Sequence, residues 1–204
     1  MRGFEKGKRV ALVISECQKG VIDPDVSMFS ELAQQVQERG IVDKIATLAQ
    51  AFRDHQQPVV HAHVAHRKDY SGLARTSVIT VRTIKMGGMR EGTIAVEPVP
   101  GLLPQEEDVV LSRHNSLVGF NGTDLDSTLR NMGVSTIVFA GVSSNIAIPS
   151  MSVCASDFGY QVVIPEDCIA GTSRETHEFT VKNTLPLFTT VTDSIQLAGA
   201  LKQL

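Results

Sequence analysis

The sequence predicts an α/β domain in which a mostly parallel, six-stranded sheet is covered by helices on both faces. Three observations point there. Six short runs rich in β-branched residues are spread over the whole chain, with helical patterns between them. Several runs are apolar at consecutive positions, as expected of strands buried on both sides rather than on one. Glycines and capping residues fall where the helices should begin and stop.

The elements follow in order. RVALVIS (9–15) is the first strand. Residues 31–56 carry Leu32, Val36, Ile41, Ile45, Leu48 and Phe52 at helical spacings. PVVHAHV (58–64) and DVVLS (108–112) are the second and third strands. A helix over 124–132 opens at a Thr-Asp cap and stops before Gly133. STIVFAGV (135–142) leads into a helix over 145–158 that Gly159 terminates. YQVVIP (160–165) is the fifth strand. Thr172 and Glu175 have capping-box spacing and open a helix toward Thr184. FTTVT (188–192) is the last strand, and 193–204 the last helix. Strand–helix alternation of this kind gives a three-layer α/β/α, Rossmann-like arrangement. Only 68–105 breaks the rhythm; it holds MGGMREG and reads as a long lid or interface excursion. With no repeat or linker, residues 1–204 read as one domain.

Composition narrows the function. The chain has 204 residues, 42% hydrophobic and 20% charged, enough to build a core without disulfides or a metal. A net charge of −3 argues against a nucleic-acid partner. No apolar run approaches the ~20 residues that span a bilayer. MRGFEKGKRV leads straight into the first strand without a cleavable apolar segment. Three cysteines, an odd number, fit a reducing compartment, so a cytoplasmic protein is expected.

Ligands of such sheets sit beyond the carboxyl ends of the strands. Four strand ends carry candidates. Glu16 ends the first strand, either as a solvated end or as a carboxyl aimed into the cleft for proton transfer. Arg113 and His114 end the third strand on opposite faces, so one of them points at the cleft. A cation beside Glu16 could hold an anionic substrate or steady developing negative charge. His61, His63 and His66 invite a metal reading, but no carboxylate precedes the pair and His61 lies deeper in the sheet. Core packing, or substrate contact from His63 or His66, is the better reading, and no metal or cofactor is expected. GVSSNIA (141–147) places Ser143, Ser144, Asn145 and Ile146 at a helix start, where backbone N–H groups offer an anion site. A plain helix cap by Ser143 or Ser144 is compatible with that. Cys17, Cys154 and Cys168 read as small buried residues rather than activated thiolates.

These segments together resemble the isochorismatase-like hydrolases, also called cysteine hydrolases, over nearly the whole chain. ALVISECQ (11–18) is similar to the family's first strand, A-L-V-V-I-D-M-Q. FNGTDLDSTLRNMGVSTIVFAGVSSNIAI (120–148) follows F-x-G-T-D-L, a strand, then G-V-x-x-N-x-C-V. DFGYQVVIPEDCIAG (157–171) matches G-Y-x-V-x-V-x-x-D-A. The resemblance implies the fold, a small-molecule substrate, a homo-oligomer (dimer or tetramer) and a cis peptide near Val142–Ser143. The excursion would supply the contact between copies, while the apolar face of the last helix, with Ile195, Leu197 and Leu201, could simply pack on the sheet.

At the catalytic positions the chain departs from the pattern. The family's Asp falls on Glu16, and its nucleophilic Cys falls on Ala147. Its Lys falls on His114 when counted back from Phe120, and on Arg113 by strand alternation; a permanent charge and the face shared with Val109 and Leu111 favour Arg113. The resemblance then implies a hydrolase of a small, anionic or cyclic metabolite that works without the thiolate. The isochorismatase branch does so by protonating a vinyl ether, which suits Glu16 as the acid. A catalytically silent ligand-binding relative is the alternative. A hydrolase that recruits another thiol comes last, because Cys154 lies about 10 Å along the helix from position 147.

Overall fold

The computed structural model describes residues 1–204. The strands are β1 (Arg9–Ser15), β2 (Val59–Val64), β3 (Val109–Arg113), β4 (Val134–Val142), β5 (Gln161–Pro165), β6 (Ile169–Ala170) and β7 (Thr190–Thr192). They pair in parallel in the order β3-β2-β1-β4-β5-β7, and the two-residue β6 pairs with the end of β4. β6 is a strand beyond the six expected. Two residues are too few to leave a periodic signal.

The helices are α1 (Lys19–Ile22), α2 (Ser30–Arg39), α3 (Ile41–Asp54), α4 (Val78–Met86), α5 (Leu125–Asn131), α6 (Ala147–Asp157), α7 (Arg174–Phe179) and α8 (Ser194–Leu201). The single helix expected over 31–56 is two. Gly40 sits between them at φ 59°, a left-handed conformation that ends one helix and lets the next start in a new direction. The capping pair near 172 is also displaced: Ser173, not Thr172, accepts from the Thr176 N–H. Beyond α7 the chain continues as a π-turn over Thr180–Thr184. The excursion holds α4 and two 3-10 turns that the sequence did not announce.

The core lies on both faces of β1 and β4. On one face Val10, Leu12 and Ile14 join α2, α3 and α8 in a cluster of 28 buried residues. On the other, Ala11 and Val13 join α5 and α6 in a cluster of 18. Consecutive residues of β1 therefore feed opposite layers, which is why the run is apolar throughout. From α3, Ile41, Ile45, Leu48 and Phe52 are each at most 1% exposed. Four such side chains contribute on the order of 10 kcal/mol of gross transfer free energy. Truncating Phe52 to Ala alone should cost about 3–5 kcal/mol. No helix is long and apolar enough to cross a membrane.

This topology fixes the site. β1 is followed by β2 on one side, and the chain later returns to its other side as β4. The strand order reverses between β1 and β4, where a crevice opens beyond their carboxyl ends.

Candidate active site

Ser15 pairs with Gly141, so the turns after β1 and β4 leave neighbouring strands at one level. Two details hold them close. Gly141 has φ 98°, and a Cβ there would overlap the Ser15 carbonyl oxygen. Glu16, at φ 54°, bends away from the strand in a conformation uncommon for a residue with a side chain.

The Glu16 carboxylate forms an ion pair with the Arg113 guanidinium, through Oε1 and Nη2. The Arg113 side chain is 4% exposed and that of Glu16 17%. Arg113 Nε donates to the Ser116 carbonyl at 2.7 Å, which fixes the guanidinium plane. Nη1 makes no hydrogen bond to the protein and remains for a ligand oxygen. His114 is on the other side of the chain. Its Nδ1 meets the Ala65 carbonyl at 2.6 Å, and Glu91 lies 3.2 Å away. Arg113 is thus the cation that reaches Glu16.

Glu16, Arg113 and His66 line a cavity of about 50 Å³. Half of its remaining wall comes from the excursion, through Leu73, Ile79, Thr80, Thr83 and Met89. His66 Nδ1 donates to the His114 carbonyl at 2.7 Å, which leaves Nε2 as its free ring nitrogen. Burial lowers the His66 pKa, the His114 carbonyl raises it, and Arg113 lowers it, with a net decrease. His66 is therefore a neutral acceptor near pH 7. His63 does not line this cavity. It stacks edge-on with His61 at 5.7 Å between ring centroids, and burial, reinforced by His61, holds its pKa down to about 4. His61 in turn meets Asp108 at 3.1 Å, and Arg53 clasps the same carboxylate through two nitrogens. This pair is core structure.

The turn 143–146 is arranged differently from a side-chain cap. The Val142–Ser143 peptide is cis. Ser143 uses its carbonyl, which accepts from the N–H groups of Ile146 (3.2 Å) and Ile148 (3.0 Å). The Ser144 N–H donates to the Ala170 carbonyl, and its hydroxyl meets Nδ1 of His177 at 3.1 Å. Neither serine side chain caps α6, and the Ser144 hydroxyl is held by His177 instead. The N–H groups of Asn145 and Ala147 make no backbone hydrogen bond and are available to an anion. The Asn145 Oδ1 atom and the Ser15 hydroxyl are buried without partners. Ile146 is exposed at the mouth of the turn, and Ala147 is buried.

Two residues that position the site were missed from sequence. Gln18 is fully buried. Its amide donates to the carbonyls of Val64 (2.9 Å) and Val96 (2.7 Å) and accepts from the Val64 N–H (2.7 Å). It therefore ties the turn after β1 to the end of β2 and to the excursion. His177 steadies Ser144 across 33 residues of chain. A glutamine three residues past a strand end was the only local signal for the first, and none existed for the second.

The thiols stay outside this chemistry. Burial, then the Glu16 and Cys168 charges, push the Cys17 thiol far above its usual range. Burial and the Asp167 charge push Cys168 up to about 12. Cys154 is half-buried on α6, packed against the second core cluster.

Residues 10–196 match the isochorismatase domain. The chain belongs to the isochorismatase family. Its members are generally hydrolases. Over 194 residues the chain is 27% identical to YecD, an uncharacterised isochorismatase family protein of Escherichia coli O157:H7, covering 95% of this chain and 97% of the relative. It is 25% identical over 172 residues to a maleamate amidohydrolase of Pseudomonas putida, covering 84% and 77%. The solved isochorismatase family protein of Desulfovibrio vulgaris superposes with a TM-score of 0.83 at 25% identity, covering 96% of this chain and 99% of that one. The three-layer fold of this family member is thus shared along nearly its full length.

Proposed function

We propose that this family member hydrolyses a small anionic or cyclic metabolite without a covalent thiol intermediate, with Glu16 as the proton-transfer group. The observation that carries the proposal is the Glu16–Arg113 ion pair, lining a cavity beyond β1 and β3. Arg113 presents its free Nη1 to a substrate carboxylate, and the N–H groups of Asn145 and Ala147 supply a second anion contact. For an enol ether of pyruvate, the substrate carboxylate engages Arg113, and Glu16 takes a proton from solvent and passes it to the terminal methylene carbon. Water then adds to the resulting oxocarbenium ion and loses a proton to Glu16. The hemiketal C–O bond breaks, releasing pyruvate and the alcohol. Proton transfer from a positioned side chain is worth roughly 10²–10⁴-fold in rate.

A cavity of about 50 Å³ admits a few atoms, whereas small-molecule sites span roughly 300–1,000 Å³. Substrate entry therefore requires α4 to move. Six of its nine residues are β-branched, so its helical state depends on packing rather than on propensity. Ala147, at the position where the resemblance puts the family's nucleophile, favours a second reading, a ligand-binding relative without turnover.

The test is pyruvate release from isochorismate by the purified protein beside Glu16→Gln and Arg113→Ala, together with a thermal-shift screen of small carboxylates. Release that Glu16→Gln abolishes supports the acid mechanism. Full activity in Glu16→Gln refutes the assignment, and binding without turnover of any ligand found establishes the second reading.

A further inference from the structure

The excursion is a basic island on an acidic protein. Residues 67–91 hold six Lys or Arg against two acids, in a chain whose 19 basic residues are outnumbered by 22 acids. On α4 the charge is sorted by face. Ile79, Thr80 and Thr83 look inward over Glu16 and Arg113. Val78, Val81, Arg82, Lys85 and Met86 follow at i, i+3, i+4, i+7 and i+8 on the opposite face, and with Arg75 they line a concavity of about 570 Å³.

Three features set this concavity apart from a solvated helix face. Arg75, Arg82 and Lys85 take part in no ion pair, and no acidic residue lines the concavity. Its volume lies within the range of small-molecule sites. Its remaining lining joins Thr76 and Ser77 to the apolar Val78, Val81 and Met86, and Val78 and Met86 are 87% and 54% exposed. The groove between α3 and α8, of about 690 Å³, offers a contrast. There Lys44 and Lys202 are offset by Asp43 and Asp167, so it presents no field of one sign.

We propose that the outer face of α4 binds a small organic phosphate monoester. The phosphate, with close to two negative charges near pH 7, lies among Arg75, Arg82 and Lys85. The organic portion covers Val78, Val81 and Met86. Two guanidinium forks match phosphate oxygens in pairs, and a single carboxylate would leave two of the three cations uncompensated.

The test titrates phenyl phosphate, inorganic phosphate and vesicles containing phosphatidic acid into the full chain by calorimetry at low ionic strength. Phenyl phosphate is expected to bind saturably at one site, more tightly than inorganic phosphate, and to weaken at least tenfold in Arg82→Ala/Lys85→Ala. Both side chains are exposed, so that variant should melt with the parent. Should it not, Arg82→Gln/Lys85→Gln serves in its place. Absence of saturable binding, full affinity in the double variant, equal affinity for the two phosphates, or binding of vesicles alone would each overturn the proposal.

Discussion

Removing Arg113 tests whether the Glu16 pair is a unit. In Arg113→Met the Glu16 carboxylate loses its partner and the Ser116 carbonyl loses its 2.7 Å donor. Truncating one side of a fully buried pair costs about 3–5 kcal/mol, and a surface pair is worth about 0–1 kcal/mol. With 4% and 17% exposure, this pair lies between those limits. About 2 kcal/mol for the lost pair and about 1 kcal/mol for the unpaired carbonyl give roughly 3 kcal/mol. Glu16→Gln should cost about 2 kcal/mol, because it leaves a buried guanidinium uncompensated. The double variant, with neither charge, should cost no more than the worse single. Urea unfolding followed by circular dichroism measures all three. With a slope of about 3 kcal/mol per molar, suited to a chain of this length, the Arg113→Met midpoint falls by about 1 M. Costs that add to within ~0.5 kcal/mol would refute the reasoning, because independent side chains behave that way.

Other outcomes follow from the same geometry. His63 and His177, both held near pKa 4 chiefly by burial, are protonated in the unfolded chain before they are in the folded one. Stability should therefore hold above pH ~6.5 and fall as pH drops toward 4, by up to about 1.4 kcal/mol per pH unit for each histidine. Urea midpoints at pH 7, 5.5 and 4.5 measure this, and a flat profile contradicts it. Gly141→Ala places a Cβ against the Ser15 carbonyl oxygen at φ 98° and should cost 3 kcal/mol or more, on the order of a strained backbone plus a clash. A melting temperature equal to the parent's would show that the β1–β4 crevice is slacker than it looks. Cys17 and Cys168 are buried and their thiols held protonated, so a thiol reagent at pH 8 should modify Cys154 alone in the folded protein. Rapid labelling of three cysteines would be the contrary result.

The fold was legible because its signals are local. Consecutive apolar residues in RVALVIS report two buried faces, and Gly159 and Asp193 mark helix ends at the positions where helices stop and start. Where local and tertiary forces disagree, the sequence misleads. The interval from Val36 to Ile41 is five residues rather than four, a phase slip that Gly40 converts into a break between α2 and α3. α4 escaped notice because β-branched residues fill it and packing over the cavity makes it helical. Within the site, Glu16 and Arg113 were legible as strand-end charges. The links from Gln18 to Val64 and from Ser144 to His177 span 46 and 33 residues, and no spacing rule reaches that far.

Whether Glu16 moves the proton without the help of a thiol is decided by one comparison of turnover numbers. On whichever substrate the parent hydrolyses, the rate is compared among the parent, Glu16→Gln, and a variant with Cys17, Cys154 and Cys168 all replaced by Ala. Equal rates are expected for the parent and the cysteine-free protein, with a fall of at least about 100-fold in Glu16→Gln. Activity that disappears with the cysteines and survives in Glu16→Gln would contradict that role of Glu16.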